Sequence, residues 1–224
     1  MHIKLRLLAG AAIAAAILGS SAAQASPITF DVSVWHASTS GATISSASQQ
    51  ALPSSPLVKS SDLAATFTYM GLPNWNNAAG SANKFDTFVT PNSAVKKLKF
   101  YNGYKKTFVL STGNFDSTSL FELTFTTPTS LSGTILHDDG ISLWNSTNSM
   151  DLVDSSGPTN QIGTNFSVGA GTYNLWYDEA NGAPAVLNFT NVQVPEPGSL
   201  LLLGTGLIAL GLVVRRSKKA RPLA

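Results

Sequence analysis

The apolar and polar positions divide the chain into three parts. Leu7 to Leu18 is an apolar run, and Leu200 to Val214 is another, interrupted only by Gly204, Thr205, Gly206 and Gly211. Between them the pattern has the short period of strands. Alternating or β-rich runs occupy Ile28–Trp35, Leu63–Met70, Ala94–Tyr101, Thr107–Ser111, Leu120–Thr126, Gly133–His137, Ile141–Trp144, Met150–Val153, Gly171–Tyr177 and Ala185–Val194. Each is bounded by Gly, Pro, Asn, Asp or Ser. In Phe121-Glu122-Leu123-Thr124-Phe125-Thr126 every second residue is apolar, which turns one face inward and leaves the other to water. No stretch of helix length shows a 3.6-residue period. Many short strands separated by turns predict an all-β body, an antiparallel β-sandwich or jelly roll. Residues 37–56, poor in charge and rich in Ser, Thr, Ala and Gln, predict a long exposed loop or a poorly ordered arm. Leu72 to Ala82 predicts a second loop, with Trp75 near its middle.

The two apolar runs have the flanks of targeting segments. Lys4 and Arg6 precede the first, and Ala23-Gln24-Ala25 offers small residues for signal peptidase to cut after Ala25. Residues 1–25 therefore predict a signal peptide and 26–194 the exported body. At the other end Pro195 and Pro197 fix their own φ and break any element passing through. Residues 198–214 predict a single transmembrane helix of about 25 Å, a little short of a hydrocarbon core of about 30 Å. The tail 215–221 carries Arg215, Arg216, Lys218, Lys219 and Arg221, which hold that end on the cytoplasmic side of the membrane.

Pro195-Glu196-Pro197, an apolar helix and a terminal basic cluster, in that order over 195–224, resemble the PEP-CTERM sorting signal. The resemblance implies recognition of Pro195, Glu196 and Pro197 by an exosortase, a membrane-embedded cysteine transpeptidase linked to exopolysaccharide. It implies an inner-membrane anchored precursor and then delivery to the cell surface or extracellular matrix.

Removing the ends changes the charge. Seven of the 14 Lys and Arg lie in the targeting segments, whereas all 12 acidic residues lie between Asp31 and Glu196. The body is thus acidic despite a whole-chain pI of 8.9, which argues against a nucleic-acid partner. With 0 Cys there are no disulfides, thiolate nucleophiles or Cys metal sites, so the body relies on its core.

Polar chemistry concentrates at Leu136-His137-Asp138-Asp139-Gly140-Ile141-Ser142-Leu143-Trp144. Adjacent carboxylates at a Gly turn fit a polar hairpin turn, and as hard oxygen ligands they also fit Ca²⁺. Downstream come Gly171-Thr172-Tyr173, the loop Asp178-Glu179-Ala180-Asn181-Gly182 and Pro184-Ala185-Val186-Leu187-Asn188-Phe189. This order resembles the second half of the sugar-binding β-sandwich domain named after anthrax protective antigen. That resemblance implies that Asp138 and Asp139, one joined by a cis peptide, hold Ca²⁺ against sugar hydroxyls, with Asn181 a candidate further ligand. Trp75, on its loop, is the candidate for stacking a sugar ring, while Trp35, Trp144 and Trp176 sit in strand patterns and suit core packing.

Catalysis finds no motif. His36 and His137 stand outside any nucleophile or metal pattern, no Gly-Xaa-Ser-Xaa-Gly elbow occurs, and adjacent carboxylates cannot flank a glycosidic bond. The sequence reads as a non-enzymatic, exported surface or matrix protein that binds exopolysaccharide with Ca²⁺. A purely structural matrix protein is the alternative, and a secreted glycan hydrolase stands third.

Overall fold

Inward-facing apolar residues on alternating strand positions assemble two antiparallel sheets. The computed structural model describes residues 27–39, 41–77, 83–194 and 204–212. Ala23, Ala25, Pro195, Glu196, Pro197, Arg215, Arg216, Lys218, Lys219 and Arg221 lie outside the described residues. Of the predicted span, 204–212 is described and helical. No helix among the described residues is long and apolar enough to cross a membrane.

The chain divides into two units, one of which is Pro27–Val194. This unit contains β1 (Thr29–Ser38), β2 (Leu63–Met70), β3 (Asn74–Asn76), α1 (Phe85–Phe88), β4 (Val95–Phe100), β5 (Ser117–Thr127) and β6 (Leu131–Asp138). It continues with β7 (Ile141–Asn145), β8 (Asp151–Ser155), β9 (Ile162–Val168), β10 (Gly171–Glu179) and β11 (Val186–Gln193). A seven-stranded sheet runs β4-β2-β1-β5-β10-β7-β8, and a four-stranded sheet runs β3-β11-β6-β9. Both apolar clusters lie within Pro27–Val194, so the unit carries its own core.

From β5 onward the chain passes between the sheets at every connection except β7–β8. Asp138-Asp139-Gly140 is consequently an inter-sheet corner, not the turn of a hairpin. The registers Asp138↔Val186, His137↔Ile162, Tyr177↔Ile141 and Ile141↔Ser155 gather three crossings at one pole: 139–140, 156–161 and 180–185. The β5–β6 and β9–β10 crossings lie at the opposite pole. So do the start of β1, by Phe30↔Phe125, and the end of β11, by Gln193↔Ser132.

Three expectations need correction. Trp75 is not on an exposed loop: it lies on β3, fully buried, with ring centroids 5.1 Å from Tyr69 and 5.6 Å from Phe88. Three residues, Asn-Trp-Asn, are too few to show alternation, yet pairing Leu187↔Trp75 turns the indole inward. Residues 37–56 are not an exposed arm. Ile44, Ala51 and then Leu57 are buried, and the segment covers the outer face of the large sheet, where Trp35 and Trp176 stack at 5.8 Å. Its few apolar residues suffice because they meet tryptophans already fixed by the sheet. Thr107–Ser111 forms only an isolated bridge, Lys84↔Val109, because no neighbouring strand continues the ladder.

Candidate functional site

The pole with three crossings is organised by one carboxylate. Asp139 Oδ1 accepts from the Thr159 N–H at 3.2 Å, and Oδ2 accepts from Ala180 N–H at 2.8 Å and Asn181 N–H at 3.1 Å. One side chain thereby ties the β6–β7 corner to the β8–β9 and β10–β11 connections. The Asp138–Asp139 peptide is cis. A Cβ on Gly140 would lie 2.1 Å from the Ser156 carbonyl oxygen, so the approach of the 156–161 connection admits only glycine there.

His137 closes the corner from below. Its Nδ1 lies 2.5 Å from the Asp139 carbonyl, which can only accept, so Nδ1 carries the proton and Nε2 accepts from the Thr164 hydroxyl at 2.7 Å. Burial lowers its pKa and keeps it neutral.

Behind the dyad, β10 ends in two buried acids that sequence reasoning did not place in the site. Glu179 Oε1 accepts from Asn83 at 2.8 Å and Ser111 at 2.6 Å. Its Oε2 lies 2.9 Å from the Tyr177 hydroxyl, which is itself 2.6 Å from the Asp138 carbonyl. A single phenol proton cannot serve both acceptors. Tyr177 donates to the carbonyl and receives the proton of a neutral Glu179, in keeping with a Glu179 pKa raised well above the usual range by burial and by Asp139. Asp178 Oδ1 accepts from Thr118 at 3.0 Å, whereas Oδ2 is buried with no hydrogen-bond partner. Burial, then the charge of Asp139, raises Asp178 as well.

Burial, then the charge of Asp139, lifts Asp138 to about 6. Burial also raises Asp139, opposed by its three N–H donors. Four carboxyl groups thus share one pole, and the only ion pair among the described residues, Lys59–Asp62, involves none of them. No three acidic or histidine side chains among the described residues stand in the arrangement of a formed metal site. The structure brings Asp138, Asp139 and Asn181 together and leaves Trp75 in the core. For Asp178 and Glu179 the local sequence shows only that they end the apolar strand Leu175-Trp176-Tyr177, which does not reveal the corner that they meet.

The other histidine among the described residues, His36, has no catalytic geometry. Ser119 donates its proton to the Leu110 carbonyl at 2.6 Å, so His36 Nδ1, 2.9 Å away, donates to the serine instead of withdrawing its proton. Burial lowers His36 to about 4.

Comparison with known proteins identifies the tail. The chain carries a PEP-CTERM protein-sorting motif at residues 193–217. The motif implies an exported, membrane-anchored precursor processed by exosortase, with a C-terminal transmembrane region. No curated protein matches the chain. A solved structure similar to it is the PA14 sugar-binding domain from an RTX adhesin, at 13% identity and a TM-score of 0.47, covering 75% of this chain and 90% of that one. Another is the GH31 alpha-xylosidase Xac1773 from Xanthomonas citri, at 9% identity and a TM-score of 0.31, covering 75% of this chain and 22% of that one.

Proposed function

We propose that the PEP-CTERM motif delivers a non-enzymatic sandwich to the cell surface or extracellular matrix, where it binds exopolysaccharide through Ca²⁺ at the Asp138–Asp139 corner. One observation carries this reading: a pole with four carboxyl groups where, among the described residues, no cationic side chain pairs with any of them and a buried Asp178 oxygen lacks a partner. Bringing like charges together out of water is costly unless protons or a cation offset them.

The donors fit a hard cation. Asp138 and Asp139 supply carboxylate oxygens, and the Asn181 amide is carried on a backbone already bonded to Asp139. Bound there, Ca²⁺ would neutralise the carboxylates and present open coordination positions to sugar hydroxyls. Asp139 would keep the three connections in place, and Glu179, neutral, would brace Asp138 through Tyr177.

Melting of unit 27–194 at pH 7.5 tests this. A cation bound only by the folded state adds about 2.7 kcal/mol at a hundredfold excess over its dissociation constant. Millimolar Ca²⁺ is expected to raise the melting temperature over EDTA, and Asp138→Asn is expected to remove the rise. Identical melting in both buffers would instead favour the structural reading. That second reading has its own support in the three backbone N–H groups held by Asp139, since such a clasp closes the corner without a cation.

A further inference from the structure

Positive charge in this unit is segregated. Residues 84–106 hold Lys84, Lys96, Lys97, Lys99, Lys105 and Lys106 against one acid, Asp86, while the rest of Pro27–Val194 is strongly acidic. None of these lysines is ion-paired among the described residues. Lys96 and Lys99 oppose Thr68 and Thr66 on the edge strand β4. The Lys96 ammonium donates to the Ser93 carbonyl at 2.8 Å, and that of Lys99 lies 4.5 Å over the Tyr101 ring.

Beside this strand lies an open groove of about 350 Å³, near the lower end of the range of about 300–1,000 Å³ typical of ligand pockets. Phe85, Val89, Val95 and Leu98 form apolar walls, and Lys106 lines it as well. Asp86 lines it too, with Oδ1 buried and without a hydrogen-bond partner, while its backbone N–H is used by the Lys106 carbonyl at 3.0 Å. Lysines on an edge strand discourage pairing between sheets, which is reason enough for Lys96 and Lys99. That role does not extend to Lys84, Lys105 and Lys106, which lie off the strand, or to a carboxylate in the wall of the groove with one oxygen buried and unpaired.

We propose that this groove and its lysines bind an acidic polysaccharide, a chain whose units carry both carboxylates and hydroxyls. The C–H face of a sugar ring suits the apolar walls, a hydroxyl donates to the Asp86 carboxylate where it lines the groove, and successive carboxylates meet the lysines. Polyphosphate and the phosphate backbone of DNA offer acceptors to the lysines but no donor to Asp86. The protein's own cations do the work here, so the site is independent of Ca²⁺ and of the Asp138–Asp139 corner.

Binding of unit 27–194 to polygalacturonate in EDTA tests the proposal, with polyphosphate, duplex DNA and phosphatidylglycerol vesicles as competitors. The expected result is binding that survives EDTA and weakens about tenfold or more as NaCl rises from about 50 to 300 mM, as contacts between lysines and anions do. Lys96→Glu/Lys99→Glu/Lys106→Glu should lower affinity at least about tenfold by reversing three such contacts, with circular dichroism and melting unchanged. Lys59→Glu should leave it as it was. Asp86→Ala should weaken polygalacturonate binding and spare polyphosphate binding. Equal binding by the triple variant, stronger binding to DNA or to vesicles, or loss of binding in EDTA would each overturn the proposal, the last by returning recognition to the carboxylate corner.

Discussion

Asp139 shows how much one residue carries. Removing its carboxylate leaves three backbone N–H groups at the corner without their acceptor. Asp139→Ala is therefore expected to cost roughly 2–4 kcal/mol in urea unfolding even with EDTA present. Asp62→Ala, which breaks an exposed bond from the Ser61 hydroxyl and a pair with Lys59, should cost no more than about 1 kcal/mol. His36 makes the pH dependence measurable. Its folded pKa of about 4 lies below the unfolded value of 6.5, so the stability it contributes is present above pH 6.5 and is lost as pH falls toward 4. The ceiling on that loss is about 3 kcal/mol. His36→Gln should flatten this part of the curve relative to wild type, and parallel curves from pH 7 to 4 would contradict the assignment. The carboxylate pair could be picked out from adjacent Asp138 and Asp139 at a glycine, whereas Glu179 could not. Its partners Asn83 and Ser111 lie 96 and 68 residues away in the chain, and no local pattern encodes such a meeting.

At the level of elements, legibility followed the number of apolar residues in alternation. β2 has the bounds Leu63–Met70 that its pattern predicts. β9 escaped notice because Phe166 and Val168 are its only fully buried residues, and β3 because it is three residues long. Trp75 was misplaced for the same reason: Pro73 and the asparagines around it are loop formers, and the neighbours that bury it come from β2 and α1. The 44–57 segment makes the opposite point. Its composition is that of a disordered arm, yet the 3₁₀ turn Ser46–Gln49 and the Ala51 N–H bond to Ser156 at 2.9 Å hold it against the outer sheet. Leu57→Ala should cost about 2–4 kcal/mol. It should also increase acrylamide quenching of the Trp35–Trp176 pair, since the cover over that stack loosens. Unchanged quenching would show that the segment does not shield them.

At the scale of the whole molecule, sorting and folding are separate problems. Every strand among the described residues lies in Pro27–Val194, whereas the sorting motif spans 193–217. Glu196→Ala, or deletion of residues 215–224, is expected to leave the melting of unit 27–194 unchanged while precursor accumulates in the membrane fraction. Normal release of both variants on immunoblots would refute the assigned roles of Glu196 and the basic tail. The sorting motif at 193–217 was legible because its information is linear, being order and charge, while the groove beside β4 emerged only once distant segments were folded together.

The position of the end of β11 has one more consequence. β11 finishes at the pole opposite Asp139, and β6 alone, at about 3.3 Å per residue, sets the two poles roughly 25 Å apart. The chain therefore leaves unit 27–194 at the far end from the acidic corner, set apart from the connections that Asp139 ties together.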